Sequence, residues 1–307
     1  CIRDSINLAQ ARNAQIGAPL LLRQKINIPC TNPFLSSAQF SSIGCVSSAD
    51  NINATVSKRF VENSLNRSQF FKTSANRGVI DLRGKIDSDW YFGVYFQNSH
   101  TSLRYKYLND ISLSKVKNAL NINSAGNCIS NDAGCVPLNL FTTNNNIALI
   151  ASNGITQDAL DYVHLDLSIY GELSEKILAF NFDREIKLKN QSINYFYVLV
   201  GGERRENKLI KLPDDNFLNE DGAGQQTQHQ KMFGKVSVNE AYIQLGLKLK
   251  NNFNFDSSFR YSDYSFGKHA FTYDFGFQYP ISEIFSIKAS HQKSIRIADI
   301  QELFEPE

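Results

Sequence analysis

Val238-Asn239-Glu240-Ala241-Tyr242-Ile243-Gln244-Leu245 runs on to Lys250, and Arg260-Tyr261-Ser262-Asp263-Tyr264-Ser265 follows shortly after. The first stretch alternates. Ile243, Leu245, Leu247 and Leu249 point one way; Gln244, Gly246, Lys248 and Lys250 point the other. Successive side chains of a strand project to opposite faces, so this is a strand with one apolar and one polar side. Its apolar side needs a core or lipid against it. The next segments repeat the pattern with no helix between them to act as a covering layer. That suits a large barrel whose outer wall faces a membrane and whose interior is wet. Val163, Leu165 and Leu167 form a second apolar set of the same kind. These three, with Ile243, Leu245 and Leu247, are expected to face lipid.

Working outward, the alternation predicts strands over Phe71–Ile86, Trp90–Tyr105, Tyr162 to about Ile186, Ile193–Arg205, Val236–Lys250, Phe253–Tyr264, Phe271–Tyr279 and Glu283–Arg296. Gly171 reads as a bulge within the third of these. Short turns are expected at 87–89, 187–192 (with Lys189-Asn190-Gln191-Ser192 as the turn itself), 251–252 and 280–282. Longer excursions fall at 106–160, 206–235 and 265–270. Strand parity puts the long connections on one rim and the short turns on the other, the outer-membrane barrel pattern. Residues 1–70 read mostly as loop, with a weak strand near Thr55–Val61 and a short helix around Pro33-Phe34-Leu35 and the Ser-rich run after it. Thr156-Gln157-Asp158 is a candidate helix cap.

The bulk numbers set limits. The chain of 307 residues is long enough for one large all-β unit. A net charge of +2 makes no field that would attract nucleic acid. Mean hydropathy is −0.31, which an alternating barrel averages out to. No apolar run approaches the roughly 18 residues of a membrane helix. Aromatic residues make up 12%, mostly 22 Phe and 13 Tyr, which favour strands. His100, His164, His229, His269 and His291 are scattered without ligand spacing, and Asp274-Phe275-Gly276, a kinase-like triplet, lies inside an alternating strand. No cofactor, metal or enzymatic chemistry is expected.

Cys30 and Cys45 flank one loop-like segment, and Cys128 and Cys135 flank another. Two close pairs in polar loops read as local disulfides in an oxidising compartment. Free thiols or a Cys₄ metal site are the alternatives, the latter disfavoured because neither pair has CxxC spacing. Cys1 is left over, as an acylated lipoprotein cysteine or a loop cysteine whose partner lies upstream.

Five stretches, in consistent order over roughly residues 30–307, resemble a TonB-dependent outer-membrane receptor. Asn32-Pro33-Phe34-Leu35-Ser36-Ser37-Ala38-Gln39 is similar to an extracellular loop element of one large receptor subgroup. Cys135-Val136-Pro137-Leu138-Asn139-Leu140-Phe141, then Ile155-Thr156-Gln157-Asp158-Ala159-Leu160-Asp161-Tyr162-Val163, looks like its loop-to-strand element. Gly201-Gly202-Glu203-Arg204-Arg205-Glu206 carries a Gly-x-Glu-x-Arg core, and Val238–Leu245 with Tyr261–Ser265 resembles the strand pair that follows. Ile295-Arg296-Ile297-Ala298-Asp299-Ile300-Gln301-Glu302-Leu303-Phe304 resembles a late element in which Ala298 replaces the usual proline.

The resemblance implies a barrel of roughly 22 strands preceded by a plug with an energy-coupling box. Neither plug nor closing strand is visible here, so residues 1–307 read as a partial transmembrane antiparallel barrel with about eight strands in 71–307. Asp166, Glu203, Arg205, Gln244, Lys248, Asp256, Arg260, Asp274 and Gln278 are expected to face the lumen. Glu203 and Arg205, two apart on one strand, read as an interior ladder before they read as a plug contact. Tyr107, Phe141, Phe217 and Phe233 are aromatic candidates in the loops, and Gln225–Gln230 a polar tip. The implied function is TonB-energised uptake of a scarce nutrient, of iron-chelate or carbohydrate class, across the outer membrane of a Gram-negative bacterium. Its partners would be outer-membrane lipid, TonB through the missing plug domain, and a small nutrient ligand. A passive porin or structural barrel and a secreted β-sandwich adhesin are the alternatives.

Overall fold

The computed structural model describes residues 2–5, 21–60, 66–141, 154–187, 193–225 and 229–305. Cys1, the turn at 189–192 and Gln226–Gln228 lie outside the described residues. Strands β1 (Ile2–Ser5), β4 (Ser68–Lys85), β5 (Trp90–Ile111), β6 (His164–Lys187), β7 (Ile193–Pro213), β8 (Met232–Leu249), β9 (Asn254–Tyr264), β10 (Lys268–Pro280) and β11 (Ser286–Lys293) form one antiparallel sheet. Its order is β1-β4-β5-β6-β7-β8-β9-β10-β11. From β4 onward each strand pairs with its successor, a meander that needs only hairpins. Among the described residues the sheet does not close, and the fold is an all-β partial barrel.

All eight strands expected from the alternation are present, and several run further than expected. β5 continues from Tyr105 to Ile111, and β7 from Arg205 to Pro213. The connection expected as a loop at 265–270 is a tight turn at 265–267, with Gly267 at φ 77°. No bulge occurs at Gly171, which pairs in register with Leu103 and Lys211. The register shift lies on β5 between Tyr107 and Asp110, where Asn109 sits at φ 65°. The short turn after β4 is held by Asp87, whose carboxylate accepts from the amides of Asp89 (2.9 Å) and Trp90 (3.0 Å). Those bonds hold its pKa below the usual carboxylate range.

The first 70 residues depart from the loop expectation. β2 (Leu21–Pro29) and β3 (Asn51–Arg59) make a separate hairpin joined through α1 (Ser37–Ile43). α1 starts with a Ser36–Gln39 capping box and ends at Gly44 in the left-handed region. The hairpin buries Leu22, Ile26, Ile28 and Val56 against α2 (Leu113–Leu120) and α3 (Gln157–Val163) of the β5–β6 connection. Thr156 caps α3 by accepting from the Ala159 amide at 3.2 Å. The expected motif Asn32–Gln39 stitches the two pieces: Asn32 donates to the Leu120 carbonyl (3.3 Å) and Gln39 to the Phe141 carbonyl (2.7 Å). Cys30–Cys45 and Cys128–Cys135 are disulfides, with Cα atoms 5.9 and 6.2 Å apart. The result is a cap with its own core at the long-loop end of the sheet.

Candidate functional site

The register resolves the sheet into two faces. On one face, rows of partners read Leu82, Val94, Phe180, Gly202, Ala241, Tyr261, Phe271 and, one step along, Gly84, Phe92, Phe182, Val200, Ile243, Phe259, Tyr273. Many of these large apolar side chains are exposed, among them Leu82, Phe180, Phe182 and Phe271. Ile243, Leu245 and Leu247 belong to this face and are half-buried beside their strand neighbours. The glycines accommodate aromatic rings: a Cβ on Gly202 would lie 2.9 Å from the Phe180 ring, and one on Gly84 would lie 2.4 Å from Phe92.

The other face is polar and internally paired. Glu203 and Glu240 are direct cross-strand partners, an arrangement that is unfavourable for like charges unless each is neutralised. Arg205 bonds Glu203 at 2.6 Å, while Arg260 bonds Glu240 at 2.9 Å and Ser262 adds a third contact at 2.7 Å. Arg260 also lies over the Tyr242 ring, 5.1 Å from its centroid. Further along, Arg77 donates to Gln97 at 2.6 Å, and Gln97 donates to Glu175 at 2.8 Å. Gly201 lets Tyr242 lie across the strand, because a Cβ there would sit 2.6 Å from both the Tyr242 ring and the Phe180 carbonyl oxygen. Gly201, Glu203 and Arg205 therefore share one face. Toward the short-turn end a concavity of about 800 Å³ is lined by Arg83, Lys85, Asp183, Tyr242, Gln244 and Arg260, among others.

Of the residues expected on the polar face, Glu203, Arg205, Gln244, Lys248, Asp256, Arg260, Asp274 and Gln278 share it by register. Asp166 does not. It lies on the opposite face of β6 near the rim, accepting from the Asn109 amide at 3.0 Å, with His164 at 3.5 Å. Three expected lipid contacts also need correction. Val163 is the last residue of α3 and is buried in the cap core. Leu165 and Leu167 occupy the same face of β6 as Glu175, Asn181 and Asp183, and they are buried with Tyr107 and Phe217. The physical reason is a switch in which set of alternate positions is apolar. Odd residues are apolar near the rim and even residues (Leu178, Phe180, Phe182) further down, with no bulge between them. The covering layer therefore changes sides along a single strand.

That covering layer near the rim is the β7–β8 connection. Its one-turn helix α4 (Asp215–Leu218), capped by Asp214, inserts Phe217 against Leu165, Leu167 and the Phe71–Tyr105 ring pair. Two carboxylates that sequence reading missed fasten this loop to β5 and to the start of α2. Asp110, fully buried, accepts from the Gly224 amide at 2.8 Å. Asp221 accepts from the hydroxyl of Ser112 and from the Ser114 amide (2.7 Å). Tyr107 and Phe217 thus pack the fold. Phe141 packs on the cap core, and Phe233 is exposed on the mostly apolar side of the sheet. In the cap, the Tyr162 hydroxyl donates to Asp132, holding that carboxylate below its usual range and pushing Tyr162, already raised by burial, up to about 12.

A family model described as TonB dependent receptor-like, beta-barrel matches residues 47–306. No curated protein and no solved structure matches the chain. The two-faced meander, its Gly201–Arg205 ladder and this match agree: the chain belongs to the TonB-dependent receptor-like β-barrel family.

Proposed function

We propose that residues 1–307 form part of the wall of an outer-membrane transporter that imports a scarce nutrient, of iron-chelate or carbohydrate class, into a Gram-negative bacterium. The family is one of outer-membrane transporters rather than enzymes. In this reading Leu82, Phe180, Phe182, Ile243, Leu245 and Leu247 are solvated by acyl chains. Glu203, Arg205, Gln244, Arg260 and Asp274 line the lumen, where a plug domain would dock and couple to TonB. The observation that carries the reading is the charge-paired face backed by an exposed apolar one. A soluble sheet exposing that much aromatic surface would aggregate. A folded cap with its own core at the long-loop end supports gated uptake over a passive pore. The test compares nutrient uptake by cells carrying the intact protein with uptake by a deletion strain and by a strain lacking TonB. Equal uptake of every iron chelate and oligosaccharide in all three strains refutes the proposal.

A further inference from the structure

Asparagine is depleted in strands, yet the exposed side of the β2–β3 hairpin carries it repeatedly. Asn27 of β2 and Asn53 of β3 are direct cross-strand partners, with Lys25 and Asn51 next along the same side, and all four are exposed. The opposite side of the hairpin supplies the cap core, so the fold asks of these positions only that they be polar. Threonine would meet that demand with better strand propensity. The last turn of α2 brings Lys117 and Asn118 alongside, and Asn121 caps that helix. A groove of about 530 Å³ runs among these residues. A second groove, of about 460 Å³, adjoins it across Lys117 and Asn118 and takes in Asn216 and Asn219 at α4. Among the described residues, the side-chain amides of Asn27, Asn51, Asn53, Asn121, Asn216 and Asn219 make no hydrogen bond within the protein. Each keeps two N–H donors and an acceptor oxygen for a ligand. Lys25 and Lys117 line the first groove, no carboxylate lines it, and neither lysine pairs with one among the described residues. In the second groove, Asp221 is already engaged by Ser112 and Ser114.

We propose that these adjoining grooves bind a uronate-containing oligosaccharide, its carboxylate held by Lys25 and Lys117 and its hydroxyls paired with the asparagine amides. A sugar hydroxyl both donates and accepts, so neighbouring hydroxyls on a ring match the donor and acceptor of one primary amide. Two grooves that share a wall suit a chain of rings, where a compact chelate would fill one and leave the other empty. The inference narrows the nutrient of the transport reading to one class, and rests on that reading for the fate of the bound sugar.

The experiment applies the full-length protein that carries this cap, purified in detergent, to an array of oligogalacturonates, oligomannuronates and glucuronate-containing chains. Their carboxyl-reduced counterparts and a ferric hydroxamate chelate are tested beside them, and affinities are read by calorimetry. At least one uronate chain should bind, and its carboxyl-reduced form about tenfold more weakly, the worth of one charge-assisted hydrogen bond. Lys25→Gln/Lys117→Gln should remove that preference. Asn27→Thr/Asn53→Thr, which improves strand propensity, should weaken both forms while leaving the cap as resistant to proteolysis as before. Arg23→Gln/Ser57→Ala, a cross-strand pair on the same side of the hairpin but outside the groove, should bind like wild type. Should the threonine pair loosen the cap, Asn216→Ala/Asn219→Ala takes its place with the same expected loss. Binding that survives the groove variants overturns the site. Equal binding of uronate and carboxyl-reduced chains overturns the acidic class, and capture of the ferric chelate in their stead, lost in the same variants, overturns the carbohydrate. Retention of no uronate chain overturns the proposal outright; TonB-dependent uptake of an iron chelate in the same cells would then leave the transport reading standing. Binding lost in the groove variants, in a protein whose deletion changes no uptake, would support the site and refute transport instead.

Discussion

Replacing Asp110 by alanine should free the β7–β8 connection from the barrel rim without unfolding the sheet. The buried carboxylate accepts from the Ile111 amide at 2.8 Å and from the Gly224 amide at 2.8 and 3.2 Å. A Cβ on neighbouring Gly222 would come within 2.9 Å of it, so the loop backbone lies directly against the group. A hydrogen bond to a charged acceptor contributes about 1.5–3 kcal/mol, and desolvation of the carboxylate offsets part of that. A net local cost of about 2 kcal/mol is therefore expected. At about 1.4 kcal/mol per tenfold, the Gly224 amide should exchange roughly 30-fold faster. The Ala223 amide still bonds the Ile111 carbonyl (2.9 Å) and the Leu113 amide the Asp221 carbonyl (2.7 Å), so the effect should stay local. Asp110→Asn, which keeps one acceptor oxygen, should fall between wild type and alanine. Hydrogen–deuterium exchange with peptide resolution over 214–225 measures this. Exchange there within threefold of wild type would show that Asp110 does not hold the loop. An equal rise across the cap helices would show that the damage is global instead.

Other outcomes follow from the same geometry. Cys30→Ser/Cys45→Ser and Cys128→Ser/Cys135→Ser should each weaken the cap by about 2–3 kcal/mol, given sequence separations of 15 and 7. Limited proteolysis should then cut within 21–60 or 112–141 while β6–β10 remain protected. Phe180→Arg should destabilise the folded protein by about 2–4 kcal/mol in membranes if that face meets lipid, read as a drop in the denaturant midpoint. Gly201→Ala should cost about 1–3 kcal/mol, because its new Cβ meets a backbone carbonyl that cannot swing away. An unchanged unfolding midpoint would contradict the close approach. Asp132 has a depressed pKa in the folded cap, so its contribution is present above the unfolded value near 4 and lost as pH falls through the folded one. Tyr162, raised to about 12, contributes fully below 10 and loses that contribution as pH climbs through 12. Exchange in 112–141 should accelerate below pH 4 and above pH 10; Tyr162→Phe should abolish the alkaline change and reduce the acid one, because Asn118 still donates to Asp132 at 3.3 Å.

The barrel strands were legible because alternation is a local signal: Ile243-Gln244-Leu245 declares its two sides within three residues. The β2–β3 hairpin was not. Leu22, Ile26 and Ile28 alternate, but β3 offers only Val56 as a buried residue amid Asn, Thr, Ser and Lys, too thin a stripe to stand out. Leu165 and Leu167 misled for a different reason. Alternation reveals that a side is covered but not by what, and here the cover is Phe217, about fifty residues away in the chain. The Asp110–Gly224 and Ser112–Asp221 fastenings span more than a hundred residues and leave no periodic trace. The Gly201–Glu203–Arg205 spacing was readable as a shared side, whereas the opposed Glu240 that gives the ladder its purpose becomes visible only with the register.

β6 is 24 residues long, and the apolar residues on its apolar side, Leu178, Phe180, Phe182 and Ile186, are interrupted by Arg184, which lies over the Trp90 ring. The remaining length, from His164 to Lys176, climbs about 28 Å at a tilt near 45°. In the proposed reading, the wall would stand as a tall collar outside the bilayer, with the disulfide-stapled cap at its end. A solute arriving from the medium would be sorted by protein surfaces well before it drew level with the lipid, so changes in what the cell accepts need only redraw the collar and leave the buried staves untouched.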